Sequence, residues 1–112
     1  MADISASSGV YTPTLTNVTN IAASTTYEAQ YLRFENTCTV SGKVDADPTA
    51  AGACELGMSL PIASNFGAVE DCAGVAFSPA VAGEGAAILA DTTNDRASMQ
   101  WIAGDTANRA RY

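Results

Sequence analysis

Histidine is absent from this sequence of 112 residues, which removes the usual general base of hydrolytic enzymes. Nucleophilic catalysis by serine or cysteine needs such a base beside the nucleophile. A serine–lysine pair would have to use Lys43, the only lysine, which lies in a segment typical of a strand or turn. We therefore expect the protein not to be an enzyme and to need no cofactor.

Cysteine is also scarce, with Cys38, Cys54 and Cys72 far apart in the chain. The odd number, the lack of a C-x-x-C pair and the missing histidine argue against a zinc site. We expect three small, buried and reduced thiols, which suits folding in a reducing compartment. If a bridge forms, Cys54 and Cys72 are the best-placed pair, because both flank the same connection.

Positive charge is also scarce. The chain has five Lys and Arg residues but twelve Asp and Glu residues, which gives a formal net charge of −7. A nucleic-acid-binding surface needs clustered positive charge, so we expect neither nucleic acid nor an anionic membrane as a partner. The first residues contain no basic region followed by an apolar run, so no signal peptide is predicted. No apolar stretch is long enough to span a bilayer.

The acidic residues offer little chemistry. The candidates for a pair of catalytic carboxylates are Glu55, Glu70, Asp71 and Glu84. Glu55 falls on the polar face of a predicted strand, and the adjacent Glu70 and Asp71 would point to opposite faces, so we expect solvated surface acids. Residues 45–47 and 91–95 contain oxygen ligands for calcium, but neither has the full loop pattern with a closing Glu. No metal site is predicted.

Large apolar side chains are few, although 47% of the residues are hydrophobic, because much of that fraction is alanine. A chain of this length is expected to form one domain with one modest core. The thin supply of large side chains favours a homo-oligomer.

The sequence does contain residue-by-residue alternation of apolar and polar side chains. Apolar residues occupy every second position from Cys54 to Leu60, and Ala97, Met99 and Trp101 repeat the pattern. Successive side chains on a strand point to opposite faces, so one face of each segment is expected in a core. Predicted strands recur about every ten residues: 11–16, 27–35, 37–46, 53–60, 69–78, 86–90 and 95–103.

This spacing predicts an all-β fold, either an antiparallel β-sandwich or a jelly-roll-like barrel. A helix over residues 79–90 is the main alternative, because alanine favours helices, but Gly83 and Gly85 argue against it. The segments on either side of residues 36–37, and those on either side of residues 91–94, are expected to form hairpins.

The ends of the chain are polar. Residues 1–9 are expected to form a flexible N-terminal arm, followed by a single β-sandwich domain over residues 10–112 whose last nine residues form a polar tail. We expect the arm to gain order on a neighbouring subunit, with Ile4 as its apolar anchor. Aromatic residues at strand spacing are usually core, but Tyr11 and above all Trp101 are kept as partner-binding candidates.

The sequence contains five short motifs: a threonine-rich opening at residues 11–17, an aromatic-x-Arg strand at residues 31–33, Val-Ser-Gly-Lys-Val at residues 40–44, Leu-Pro-Ile-Ala-Ser-Asn-Phe at residues 60–66, and a late strand with Trp101. Together they resemble the motifs of small structural proteins of tailed bacteriophages. The resemblance spans residues 9–101. Relatives would be expected to continue past Tyr112 into one more alternating strand, so either a sheet edge stays open or a neighbouring chain fills it.

The resemblance implies a trimeric β-sandwich with no catalytic residues, located in the virion and assembled in the host cytoplasm. Two roles are open. One is a decoration or cement protein that binds the major capsid protein or other virion proteins on the particle surface. The other is the receptor-binding tip of a tail fibre, which would bind a carbohydrate or another host-surface group. The short N-terminal arm favours decoration, because a fibre tip needs a rod or anchor.

Overall fold

The structure is a computed structural model that describes residues 6–77, 85–103 and 108–112, of which residues 108–111 as backbone only. This part of the chain contains eleven strands and one short 3-10 helix, Val69–Asp71. The strands are β1 (Ala6–Tyr11), β2 (Leu15–Thr19), β3 (Ile21–Thr26), β4 (Ala29–Phe34), β5 (Thr37–Ser41), β6 (Lys43–Pro48), β7 (Gly52–Met58), β8 (Ala73–Phe77), β9 (Gly85–Asp91), β10 (Arg96–Ala103) and β11 (Asn108–Arg111). All strand pairs are antiparallel, which confirms the predicted all-β fold.

The strands form two sheets. The small sheet has the order β1-β4-β5, and the large sheet has the order β2-β7-β10-β9-β8-β11-β6-β3. The end strands of the large sheet, β2 and β3, are consecutive in the chain and also contact each other. The large sheet is therefore rolled until its two ends meet, which gives it a barrel-like form.

Asn20 forms the corner between β2 and β3. Its φ of 56° lies in the left-handed region, which asparagine tolerates better than most residues. The side-chain amide donates to the carbonyl of Ala50 at 2.8 Å and accepts from the Ala50 amide at 3.1 Å. The corner is thus tied to the turn between β6 and β7, and the sheet register shifts on both sides of it.

The core lies on the concave face of the large sheet. Every second residue of β7 and β10 points into it, as the alternation predicted, and Trp101 is only 6% exposed. Leu56, Met99 and Val44 are the largest fully buried apolar side chains besides Pro13. The other buried members of the core cluster are mostly alanines.

The predicted strand over residues 37–46 is two strands that belong to different sheets. The break is at Gly42, whose backbone N–H and C=O pair with those of Tyr112 at 2.9 and 3.0 Å. A side chain at Gly42 would meet the Cβ of Ala29 at 2.9 Å and the hydroxyl of Tyr112 at 3.0 Å. Glycine therefore suits this crossing, because a side chain would collide with both neighbours.

Both chain ends carry more strand than predicted. β1 begins at Ala6, inside the predicted flexible arm, and pairs with β4; residues 1–5 lie outside the described residues. β11 lies inside the predicted polar tail and pairs with β6 and β8. The predicted strand over residues 69–78 starts as the 3-10 helix, and β8 begins only at Ala73.

Candidate functional site

The small sheet presents one face away from the large sheet. On this outer face Leu32 of the central strand β4 lies opposite Ser8 of β1 and Thr39 of β5. The residues two positions before and after these on each strand point the same way. The outer face therefore consists of Ala6, Ser8, Val10, Gln30, Leu32, Phe34, Thr37, Thr39 and Ser41. None of these nine residues is charged.

Three large apolar side chains on the outer face are open to solvent. Val10, Leu32 and Phe34 are 57%, 55% and 51% exposed. Leu32 and Phe34 are neighbours along β4, and Val10 lies diagonally from Leu32 on the adjacent strand, so the three form a continuous band. A band of this kind is typical of an interaction surface.

The opposite face of the small sheet borders a groove of about 880 Å³. Tyr11, Arg33 and Val40 line it from the small sheet, and the connection between β7 and the 3-10 helix lines another side. Core side chains such as Met58 and Ile88 form part of the wall, so the groove continues into the apolar interior. Hydroxyl, amide and charged side chains line it as well, so its surface is mixed apolar and polar.

Tyr11 links the small sheet to the opposite side of this groove. Its half-buried hydroxyl donates to the carbonyl of Ser59 at 3.1 Å, and its ring packs edge-on against Tyr31 with 6.2 Å between ring centroids. Burial raises the pKa of Tyr11, and charges on Tyr112 and Cys38 would raise it further. The phenol is therefore protonated at neutral pH and serves as a hydrogen-bond donor.

The thiols do not have the surroundings of reactive cysteines. No disulfide joins Cys38, Cys54 or Cys72, and Cys54 is buried as expected, but Cys38 is exposed and Cys72 is half-buried. The expectation of three buried thiols is wrong for Cys38, because β5 has no neighbour beyond it in the described residues. Burial raises the pKa of Cys72, which is the reverse of the shift that activates a cysteine nucleophile.

Two of the acidic candidates, Asp71 and Asp95, have structural contacts. A carboxylate oxygen of Asp71 accepts the amides of Gly67 and Ala68, both at 3.1 Å. The carboxylate of Asp95 accepts the amides of Ser64 and Phe66 at 3.0 and 3.2 Å. Glu84 is not among the described residues. Within the part of the chain that the structure describes, no three potential metal ligands of the His, Cys, Asp and Glu types cluster together.

The predicted turn between β9 and β10 is confirmed and centres on Asp91. Its carboxylate accepts the amides of Thr93 and Asn94, the side-chain amide of Asn94 and, at 3.0 Å, Nε of Arg96. The Asn94 side chain makes the largest contribution to a lowered pKa of Asp91, and Arg96 adds to it. Lys43 lies over the Tyr27 ring, 4.7 Å from its centroid, and takes part in a cation–π contact.

Two of the three predicted partner-binding residues fall within the described residues, and they lie in different places. Tyr11 lies beside the groove, Trp101 is in the core, and Ile4 is outside the described residues. Trp101 is 6% exposed, so its ring is not at the surface of a single chain. The sequence analysis does not predict the outer face, because the alternation of Leu32 and Phe34 with Tyr31 and Arg33 leaves open which side of β4 is covered.

A second apolar patch lies on the convex face of the large sheet. Val75, Phe77 and Ile102 are 77%, 58% and 70% exposed. They occupy β8 and β10, on the two sides of β9. Across the sheet from Val75, the residues at the same level on the same face are Gln100 of β10 and then Glu55 of β7. An acidic residue therefore borders this patch.

Comparison of the chain with protein-family models, with curated proteins and with solved structures gives no match. Among the described residues, no helix is both long and apolar enough to cross a membrane. Any functional assignment therefore depends on the surfaces and contacts of the chain itself.

Proposed function

We propose that this chain is a non-enzymatic structural protein of a bacteriophage particle, a homotrimer that decorates or cements the capsid surface. The observation that carries the proposal is the outer face of the small sheet, where three large apolar side chains remain half exposed in a single chain. A protein whose role is assembly needs such faces. The phage context is supported by the motif resemblance described above.

The expected mechanism is avidity. Burying the exposed half of a valine, leucine or phenylalanine stabilises a contact by about 1 kcal/mol, so one small face gives weak binding. Symmetry repeats the contact, and simultaneous attachment of several copies to a capsid lattice multiplies its effect. Cementing of this kind requires no chemical step, in agreement with the structural use of Asp71, Asp91 and Asp95.

The direct test has two measurements. Light scattering coupled to gel filtration should give three times the chain mass at micromolar concentration. Quantitative mass spectrometry of purified particles should find hundreds of copies in each particle. A folded monomer at this concentration would contradict the trimer, and a copy number of a few tens would place the protein in the tail.

The tail-fibre tip is the second candidate, and the groove is the observation that favours it. Aromatic rings of Tyr11 and Phe66 line a space of about 880 Å³, together with backbone and hydroxyl groups that could bind a sugar. A glycan array probed with the purified protein tests this role. Saturable binding of one glycan class, lost in Phe66→Ala, would support it, and an array without signal would count against it.

A further inference from the structure

We propose that the outer face of the small sheet is the self-association surface of this protein and that its occupant is the same face of further copies of the chain. This inference rests on the proposed function, because it names the interface of the proposed homotrimer. The face is defined by the nine uncharged residues given above, with Leu32 at its centre.

Charge identifies the occupant. The chain carries a net charge of −7, so two copies repel each other wherever their acidic residues meet. The three strands of the small sheet contain one charged residue, Arg33, which is on the groove side and donates to the carbonyl of Glu35 at 3.1 Å. Two copies can therefore bring their outer faces together without placing like charges opposite each other.

The edges of the small sheet point to the same occupant. β1 and β5 are each paired on one side only in the described residues. Natural proteins usually protect such edges with lysine, proline or a bulge, and neither Ala6–Tyr11 nor Thr37–Ser41 has lysine or proline. An unprotected edge beside an exposed apolar face is expected to be covered in the assembled protein.

The size of the face predicts how tightly copies associate. Three strands of about six residues span roughly 20 Å by 14 Å, or roughly 300 Å². A standard stable interface buries about 800 Å² on each partner. One face alone is therefore too small for a tight dimer, whereas a trimer lets each copy meet two neighbours. We expect a trimer at micromolar concentration that dissociates on further dilution.

The test compares two single substitutions of exposed apolar residues. Leu32→Glu places an acid at the centre of the outer face, and Ile102→Glu places one on the patch of the large sheet. Both are measured by sedimentation velocity over a range of concentrations, with melting temperature as the folding control. We expect Leu32→Glu to weaken association about tenfold or more and Ile102→Glu to leave it unchanged.

Two further variants keep the test decisive. Leu32→Thr preserves strand propensity and should still weaken association if Leu32→Glu fails to fold. Leu32→Lys should associate more weakly than the wild type when it is measured alone. Mixing it with Leu32→Glu should restore association, because opposite charges then meet across the face. Restoration on mixing is expected only if the outer faces of two copies meet each other.

The outcomes separate this inference from the proposed function. If the wild-type protein associates and the Leu32 variants associate equally well, the outer face is not the interface, although the trimer stands. Loss of association in Ile102→Glu instead would assign the interface to the large sheet. If Leu32→Glu remains trimeric but no longer attaches to stripped particles, the occupant is a capsid protein. A wild-type monomer would overturn both proposals.

Discussion

Trp101 supplies the largest ring of a core in which most other side chains are small. It is 6% exposed and lies on β10 among Cys54, Ala76 and Ala103 of the same cluster. Its Nε1 is buried without a hydrogen-bond partner among the described residues. The ring therefore stabilises the fold through apolar contact rather than through its polar group.

We expect Trp101→Ala to lower the free energy of unfolding by about 3–5 kcal/mol, because alanine neighbours cannot fill the space that the ring leaves. Trp101→Phe is the matched control and should cost less, since no hydrogen bond is lost. Urea denaturation followed by circular dichroism is the measurement, because the substitution removes the only tryptophan fluorescence. Wild-type stability in Trp101→Ala would contradict the core placement.

The three thiols should differ in reactivity in the native protein. Cys38 is exposed, Cys72 is half-buried with a raised pKa, and Cys54 is buried. Because alkylation requires an accessible thiolate, Cys38 should be labelled first, Cys72 more slowly and Cys54 only on unfolding. Time-resolved intact mass with peptide mapping measures the order. A non-reduced protein in which Cys54 and Cys72 resist alkylation after denaturation would indicate a disulfide between them.

The raised pKa of Tyr11 predicts that the free energy of unfolding falls at alkaline pH. Its pKa is raised in the folded protein, first by burial and then by Tyr112 and Cys38, so folding favours the neutral phenol. That stabilisation is complete below the ordinary pKa of 10.0 and is lost as pH rises through the raised value. The free energy of unfolding should therefore fall above about pH 10.

The control for this effect is Tyr11→Phe. At neutral pH it should cost about 0.5–1.5 kcal/mol, because the hydrogen bond to Ser59 is lost. Above the pKa of an ordinary tyrosine its stability should fall less steeply than that of the wild type. Equal slopes in urea denaturation at several alkaline pH values would show that Tyr11 is not the group responsible.

At the scale of the strands, Gly42 is the point at which the chain passes from the small sheet to the large sheet. We expect Gly42→Ala to cost about 1–3 kcal/mol, because the new Cβ would meet the buried Cβ of Ala29 and the hydroxyl of Tyr112. Gly74→Ala is the matched control, since a Cβ there would lie 3.4 Å from Ile88, an ordinary contact distance. The melting temperatures of both variants are the measurement. An equal decrease in the two variants would mean that the crossing tolerates a side chain.

Strands with one buried face could be predicted from the sequence. β7 and β10 alternate strictly because one side of each packs against the core, and the turn at Asp91 carries its own signal in the Asp-Thr-Thr-Asn sequence. The break at Gly42 could not be predicted, since Cys38, Val40, Gly42 and Val44 alternate without interruption. The division between sheets depends on which strand pairs with which, and alternation does not contain that information.

The same reason explains why the candidate site was missed. Leu32 and Phe34 alternate with Tyr31 and Arg33, and a pattern alone does not say which of two faces is covered. The register of β1, β4 and β5 settles it, because Tyr31 faces the buried side with Val40 while Leu32 faces solvent. β11 could not be predicted for a further reason. Asn108–Arg111 is short and polar, and it is a strand because it pairs with β6 and β8.

At the scale of the whole molecule, net charge and apolar surface oppose each other. Acidic residues make copies of the chain repel at a distance, and the uncharged outer face attracts them only on contact. Association through such a face should become stronger when the repulsion is screened. Salt dependence therefore reports the chemistry of the interface independently of any substitution.

We expect association to strengthen severalfold when NaCl is raised from about 0.02 M to about 0.5 M, because the Debye length falls from roughly 20 Å to roughly 4 Å. Sedimentation velocity at a fixed protein concentration measures the shift. Leu32→Glu is the internal control: added acids across the interface should make its association weaker at low salt and more dependent on screening. Dissociation of the wild-type oligomer by salt would indicate an interface held by ion pairs and would exclude the outer face, whose nine residues carry no charge.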